Sequence, residues 1–148
     1  MNPFDLKSAL LARHAQHVVL IHFPIALFLV SVAFDFVGQW RRNLALGTAA
    51  YYNLLLAAIT SLPVVATGLA AWQWQLEGQR LKGTLLLHLV FGVISTVLIW
   101  LVWWLHFRGR KAGRRLSGYR LLLEGVAALL VAITAHLGGF LSGVNAPL

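Results

Sequence analysis

The chain has 148 residues, 59% hydrophobic and 11% charged, with a mean hydropathy of +0.78. That composition lies outside the range of soluble domains and inside that of a membrane bundle of one domain. There is no cysteine, which excludes thiolate-held iron–sulfur clusters, covalent c-type haem attachment and disulfides, and leaves six histidines as the only strong metal ligands in quantity.

The N-terminal segment opens on Asn2 and Pro3, residues suited to a helix start. Residues 4–16 then mix leucines with charges in the manner of a short interfacial helix. Four apolar stretches follow, at 18–37, 44–72, 84–104 and 121–140, each reaching the ~20 residues that cross a hydrocarbon core of about 30 Å. The first resembles a signal peptide ending at Ser31-Val32-Ala33. It is long, however, contains His22 and Pro24, and runs into Arg41 and Arg42, so an uncleaved anchor is expected. The second is the longest and is expected to tilt or kink at Pro63. The connectors at 38–43, 73–83 and 105–120 are short, with no low-complexity linker and no convincing internal repeat. These features predict an all-α fold: a single integral membrane domain over 1–148, a four-helix bundle threaded up-down-up-down.

Basic residues set the expected orientation. Arg41 and Arg42 in the first connector, and Arg108, Arg110, Lys111, Arg114, Arg115 and Arg120 in the third, outweigh Lys7, Arg13, Arg80 and Lys82 on the other side. The positive-inside rule places the first and third connectors in the cytoplasm and both termini in the periplasm. Trp40, Trp100, Trp103 and Trp104 then mark the inner interface, and Trp72 and Trp74 the outer one. The net charge of +8 could suggest nucleic acid, but the basic residues flank apolar spans and topology accounts for them, so no nucleic-acid partner is expected.

Three spans carry a histidine at one expected depth near the outer face: His22, His88 and His136, with His17 a turn higher. On the third span His88, Gly92, Ser95 or Thr96, and Ile99 form a small, slightly polar stripe. On the fourth Gly125, Ala128, Ala132 and His136 do the same, followed by Gly138 and Gly139; Gly68 of the second span shares the layer. Imidazoles in lipid point to a function or to helix cross-linking. A b-type haem needs two neutral imidazoles on opposite faces, an apolar slot and a polar edge for its propionates. Spans one and three lie on a diagonal of a square bundle, so His22 and His88 are the expected axial pair. His136 is an alternative ligand or a hydrogen-bond donor to a propionate or a quinone. Arg80, Lys82 and His17 are placed to neutralise propionates. A copper or zinc site on the same histidines ranks below haem, because no membrane carboxylate lies near to orient the ligands.

At the inner side Asp35 and Glu124 are expected to pair with Arg41, Arg42, Arg115 or Arg120. Asn53, Thr60, Ser61 and Thr67 are expected to bond across helices or to the Ile59 carbonyl freed by Pro63. His106 has no histidine partner in its layer, so a second haem there is not expected.

The run His17-Val18-Val19-Leu20-Ile21-His22-Phe23-Pro24-Ile25, with His136-Leu137-Gly138-Gly139 near the end, resembles an uncharacterised bacterial four-helix membrane domain family. The family's first span opens with two histidines five apart followed by Phe-Pro. It is similar in layout to membrane b-type cytochromes, and the resemblance implies haem at His17, His22, His88 and His136. Members often carry a tyrosine and a further histidine after the Gly-Gly, where this chain has Phe140-Leu141-Ser142. The expectation is therefore a multi-pass protein of the bacterial inner membrane, binding one haem b and carrying electrons between quinol and a periplasmic redox subunit. The alternative is a structural or assembly subunit of a larger membrane complex.

Overall fold

A computed structural model describes residues 13–74, 76–111 and 118–143; the expected interfacial helix at 4–16 lies largely outside them, as do Lys7, Arg114 and Arg115. Among the described residues five helices follow one another: α1 (Arg13–Leu20), α2 (His22–Arg41), α3 (Leu44–Trp74), α4 (Gly83–Lys111) and α5 (Gly118–Leu141). Four apolar helical runs, Gln16–Arg41, Leu44–Trp74, Gly83–Arg110 and Gly118–Leu141, are long and apolar enough to cross a membrane. The first joins α1 to α2 through a single irregular residue, Ile21. Its amide still reaches the His17 carbonyl at 3.0 Å, while Pro24, with no N–H, cannot bond Leu20.

Every helix outruns its apolar core. Residues 105–111, expected in a connector, continue α4, and Arg120 lies inside α5. Hydropathy scores the arginines and tryptophans at helix ends as loop, whereas backbone hydrogen bonding carries the helix through the interface. Pro63 leaves α3 uninterrupted. The hydroxyls expected to bridge helices mostly turn back on their own: Thr60 donates to Leu56, Ser61 to Ala58 and Thr67 to Pro63, at 2.7 to 2.8 Å.

The turn between α2 and α3 is tightly specified. Arg42 adopts the left-handed conformation, at φ 52°, and the Asn43 amide reaches back to the Gly38 carbonyl at 2.8 Å. Asn43 Oδ1 then accepts from the amides of Ala45 (2.9 Å) and Leu46 (3.3 Å), capping α3. Asn43→Ala is expected to cost about 1 kcal/mol, read as a lower midpoint of thermal unfolding in detergent.

The first span packs on α3 and α5, and α4 packs on the same two helices, leaving the first span and α4 on one diagonal and α3 and α5 on the other. Phe28, Leu54, Ala57, Ala58, Ile99, Val102, Ala127 and Val131 form the core. Alanines on α3 and α5 allow close backbone approach where hydrophobicity cannot drive association. Ser31 Oγ donates to the Ala50 carbonyl at 2.7 Å, tying the first span to α3. Leu29, Val97 and Leu129 point outward, as a lipid-facing surface requires.

Burial reveals a repeat that the residue identities hide. Pro24, Phe28, Ser31 and Asp35 are buried on the first span, and Ser95, Ile99, Val102 and His106 on α4, each partner 71 positions on. On α3 and α5, Ala50, Leu54, Ala57 and Ser61 match Arg120, Glu124, Ala127 and Val131 at a separation of 70. The bundle is two like helical hairpins running in the same direction, the arrangement of a parallel repeat about the membrane normal.

Candidate functional site at the histidine end

His17 and His88 are equivalent positions of the two hairpins, and each is held in the same way. His17 Nδ1 lies 3.1 Å from the Val64 carbonyl on α3 and 3.2 Å from Thr67 Oγ1. His88 Nδ1 lies 3.0 Å from the Thr134 carbonyl on α5. A carbonyl oxygen only accepts, so Nδ1 carries the hydrogen in both rings and the lone pair of the neutral imidazole falls on Nε2. One turn beyond each carbonyl stands a glycine. A Cβ at Gly68 would meet His17 Cε1 at 2.9 Å, and one at Gly138 would meet His88 Cε1 at 3.1 Å. The two rings approach across the diagonal, with centroids 6.5 Å apart and planes at 88°.

These imidazoles border a largely apolar cavity of about 570 Å³, within the size range of cofactor sites. Gly68, Gly92, Gly138 and Gly139 line it, and Thr134 Oγ1, 3.2 Å from Ser95 Oγ, places a hydroxyl pair beside it.

A family model described as a predicted membrane protein, DUF2231, matches residues 13–145. The chain belongs to that family. No curated protein and no solved structure matches it.

The structure of this DUF2231 protein distributes the expected residues unevenly. The ring opposite His88 is that of His17, not His22. His22 begins α2 beyond the Ile21 irregularity and is exposed, though it also lines the cavity. His136 is exposed and packs edge-on against Phe140, its ring centroid 5.0 Å away, and is not among the lining residues. Arg80 is exposed on the connector between α3 and α4, whose Leu76 and Leu81 border the cavity. Trp72 Nε1 closes that connector by donating to the Gln79 carbonyl at 2.9 Å.

The opposite, arginine-rich end holds a second polar layer that sequence reasoning resolved only in part. Asp35 and Glu124 do meet an arginine, and it is Arg120, which reaches Asp35 Oδ2 through NH2 at 2.5 Å and lies 3.3 Å from Glu124 Oε1 through Nε. His106, which the sequence left alone, lies 2.7 Å from Glu124 Oε1 through Nε2. All four side chains are at most 3% exposed. The spacing of Glu124 from Arg120, one turn apart on α5, carries the only local signal of this cluster.

Proposed function

We propose that this protein is a small membrane cytochrome that holds one b-type haem between His17 and His88 and carries electrons between quinol and a redox partner. We place it in the bacterial inner membrane with this end periplasmic, following the basic connectors. The observation that carries the reading is the matched pair of imidazoles, each fixed by a backbone carbonyl, each seated over a glycine, with centroids 6.5 Å apart beside an apolar cavity.

The residues fit the group. Nδ1 bonded to a carbonyl is the usual second-shell device that presents Nε2 to a metal and raises its basicity. The ring centroids of His17 and His88, 6.5 Å apart, are close enough for one metal centre to be held by both imidazoles. The glycines let each ring lie directly against the neighbouring helix, where a Cβ would stand 2.9 to 3.1 Å from Cε1. Haem would supply a one-electron centre there, its potential set by axial ligands and burial. Val64 and Thr134 orient the ligand rings, the apolar lining excludes water, and Arg80 at the rim offers charge to propionates. His136, exposed at the same end, is placed to hydrogen-bond a quinone headgroup.

The purified protein should be pigmented, with a Soret band that shifts on reduction. His17→Ala and His88→Ala should each abolish the six-coordinate spectrum, while His136→Ala and His22→Ala should keep it. A second reading rests on the two Nδ1 bonds themselves, which tie the first span to α3 and α4 to α5. In that reading the histidines only cross-link helices, in a structural subunit of a larger complex. A colourless protein in which either alanine variant loses about 1 kcal/mol of stability would select it. Copper or zinc in place of iron on elemental analysis would assign the pair to a two-histidine metal site.

A further inference from the structure

From the buried layer at the arginine-rich end, we infer a proton-binding site: His106 and Glu124 together hold one exchangeable proton. Asp35 sits on the first span, His106 on α4, and Arg120 and Glu124 on α5, and each is at most 3% exposed. At the depth of the cluster α3 contributes Ala50 and Leu54, which do not titrate. Gln39, neutral, donates to Asp35 Oδ2 at 2.9 Å, and Arg41, Arg42, Arg108 and Arg110 are exposed. Among the described residues the layer therefore contains two carboxylates, one guanidinium and one imidazole.

Charge decides the rest. With a neutral imidazole the layer carries a net negative charge among apolar helices, a state that desolvation penalises severely. Arg120 neutralises Asp35, with which it makes the shorter contact. Glu124 is left to His106, 2.7 Å away. One added proton, shared between His106 Nε2 and Glu124 Oε1, turns the layer into two neutral pairs; its loss leaves the Glu124 carboxylate exposed to the low dielectric. The cluster also has slack for the change. Glu124 Oε2 and Arg120 Nε and NH1 are buried without a hydrogen-bond partner, and Arg120 Nε stands only 3.3 Å from Glu124 Oε1, so the guanidinium can lean toward Glu124 when the proton leaves. Among the described residues Asp35, His106 and Glu124 also form the one group of possible metal ligands within 4.8 Å of one another. The guanidinium bound to Asp35 already occupies the position of a cation there, which favours the proton.

The site is at the other end of the bundle from His17 and His88, and it stands whether or not haem binds there. The test uses the purified chain in lipid nanodiscs, followed by thermal unfolding and by infrared difference spectra from about pH 5 to about pH 9. The proton-bound form is the neutral one, so its stability is present at low pH and lost as pH rises. In the wild type the unfolding midpoint should fall by roughly 5–10 °C across that range. Glu124→Gln leaves Asp35 and Arg120 as a neutral pair, and should hold the high midpoint with the pH dependence largely removed. His106→Gln leaves Glu124 to take the proton alone, and should move the pH at which the midpoint falls. An imidazole or carboxyl band that titrates in the wild type should vanish in Glu124→Gln and shift in His106→Gln. Persistence of the band and of the pH dependence in Glu124→Gln would overturn the proposal. So would binding of one zinc ion per chain from added zinc chloride in the wild type and none in Glu124→Gln, which would make the cluster a metal site.

Discussion

If the proposed haem site is right, Gly68→Val and Gly138→Val should each weaken haem retention by roughly 10- to 100-fold, the range seen when a ligand histidine loses its orienting shell. Even the first side-chain carbon is too much at these positions. A Cβ at Gly68 would stand 2.9 Å from His17 Cε1, and at Gly138 3.1 Å from His88 Cε1, so the ring must move off the carbonyl that holds its tautomer. In the proposed haem site both rings are ligands, so neither can give way without consequence. Gly92→Ala is the matched control: it lines the same cavity, but its new Cβ meets only Thr134 Cγ2, at 3.8 Å, an ordinary contact. Cofactor content per chain, measured by the pyridine haemochrome after equal washing, reads the difference. Equal retention in all three variants would remove the imidazole pair from the proposed function.

Arg120→Met should be the most destabilising single change outside that site, at about 3–5 kcal/mol. It removes the counter-charge of Asp35, whose Oδ2 would keep only the Gln39 amide, and it deprives Glu124 of its second cation. Both carboxylates are 1% exposed, so water cannot substitute. Arg120→Lys should recover part of the loss, because an ammonium keeps the charge but cannot span both carboxylates as a planar fork does. Asp35→Asn in the Arg120→Met background should also recover stability, since it deletes the uncompensated charge. Unfolding in a graded detergent series gives all three values, and additivity of the two single changes would show that they do not interact.

The membrane fold could be read before any coordinates because the bilayer imposes one rule, length and apolarity, on every span. Helix rotation obeys no such rule. Residues facing lipid and residues facing the core are both apolar, so periodicity distinguishes them weakly, and the sequence pairs His22 with His88 where the structure sets His17 there. Hydropathy also set the first span to begin at residue 18, which put His17 in the water boundary; the helix in fact starts earlier and carries His17 into the bundle. The Glu124 contact of His106 joins α5 to α4 across the bundle, and no spacing in the chain announces it. The repeat escaped for a related reason. His17 with His88, Gly38 with Gly109, Ala57 with Ala127 and Gly68 with Gly138 are among the few identities that survive at matched positions, because burial in such a bundle constrains size and place more than residue type.

The tandem hairpins have a consequence for chemistry. A homodimer of one hairpin would be self-complementary, and residues on the diagonal nearest the axis would face their own copies. Such an assembly could supply twin imidazoles, as His17 and His88 do, but it would set aspartate against aspartate, or arginine against arginine, in the opposite layer. Covalent fusion frees the copies to diverge: Asp35 answers to His106, Leu54 to Glu124 and Ala50 to Arg120. One polypeptide thereby keeps symmetry where the imidazole pair lies and breaks it where acid meets base.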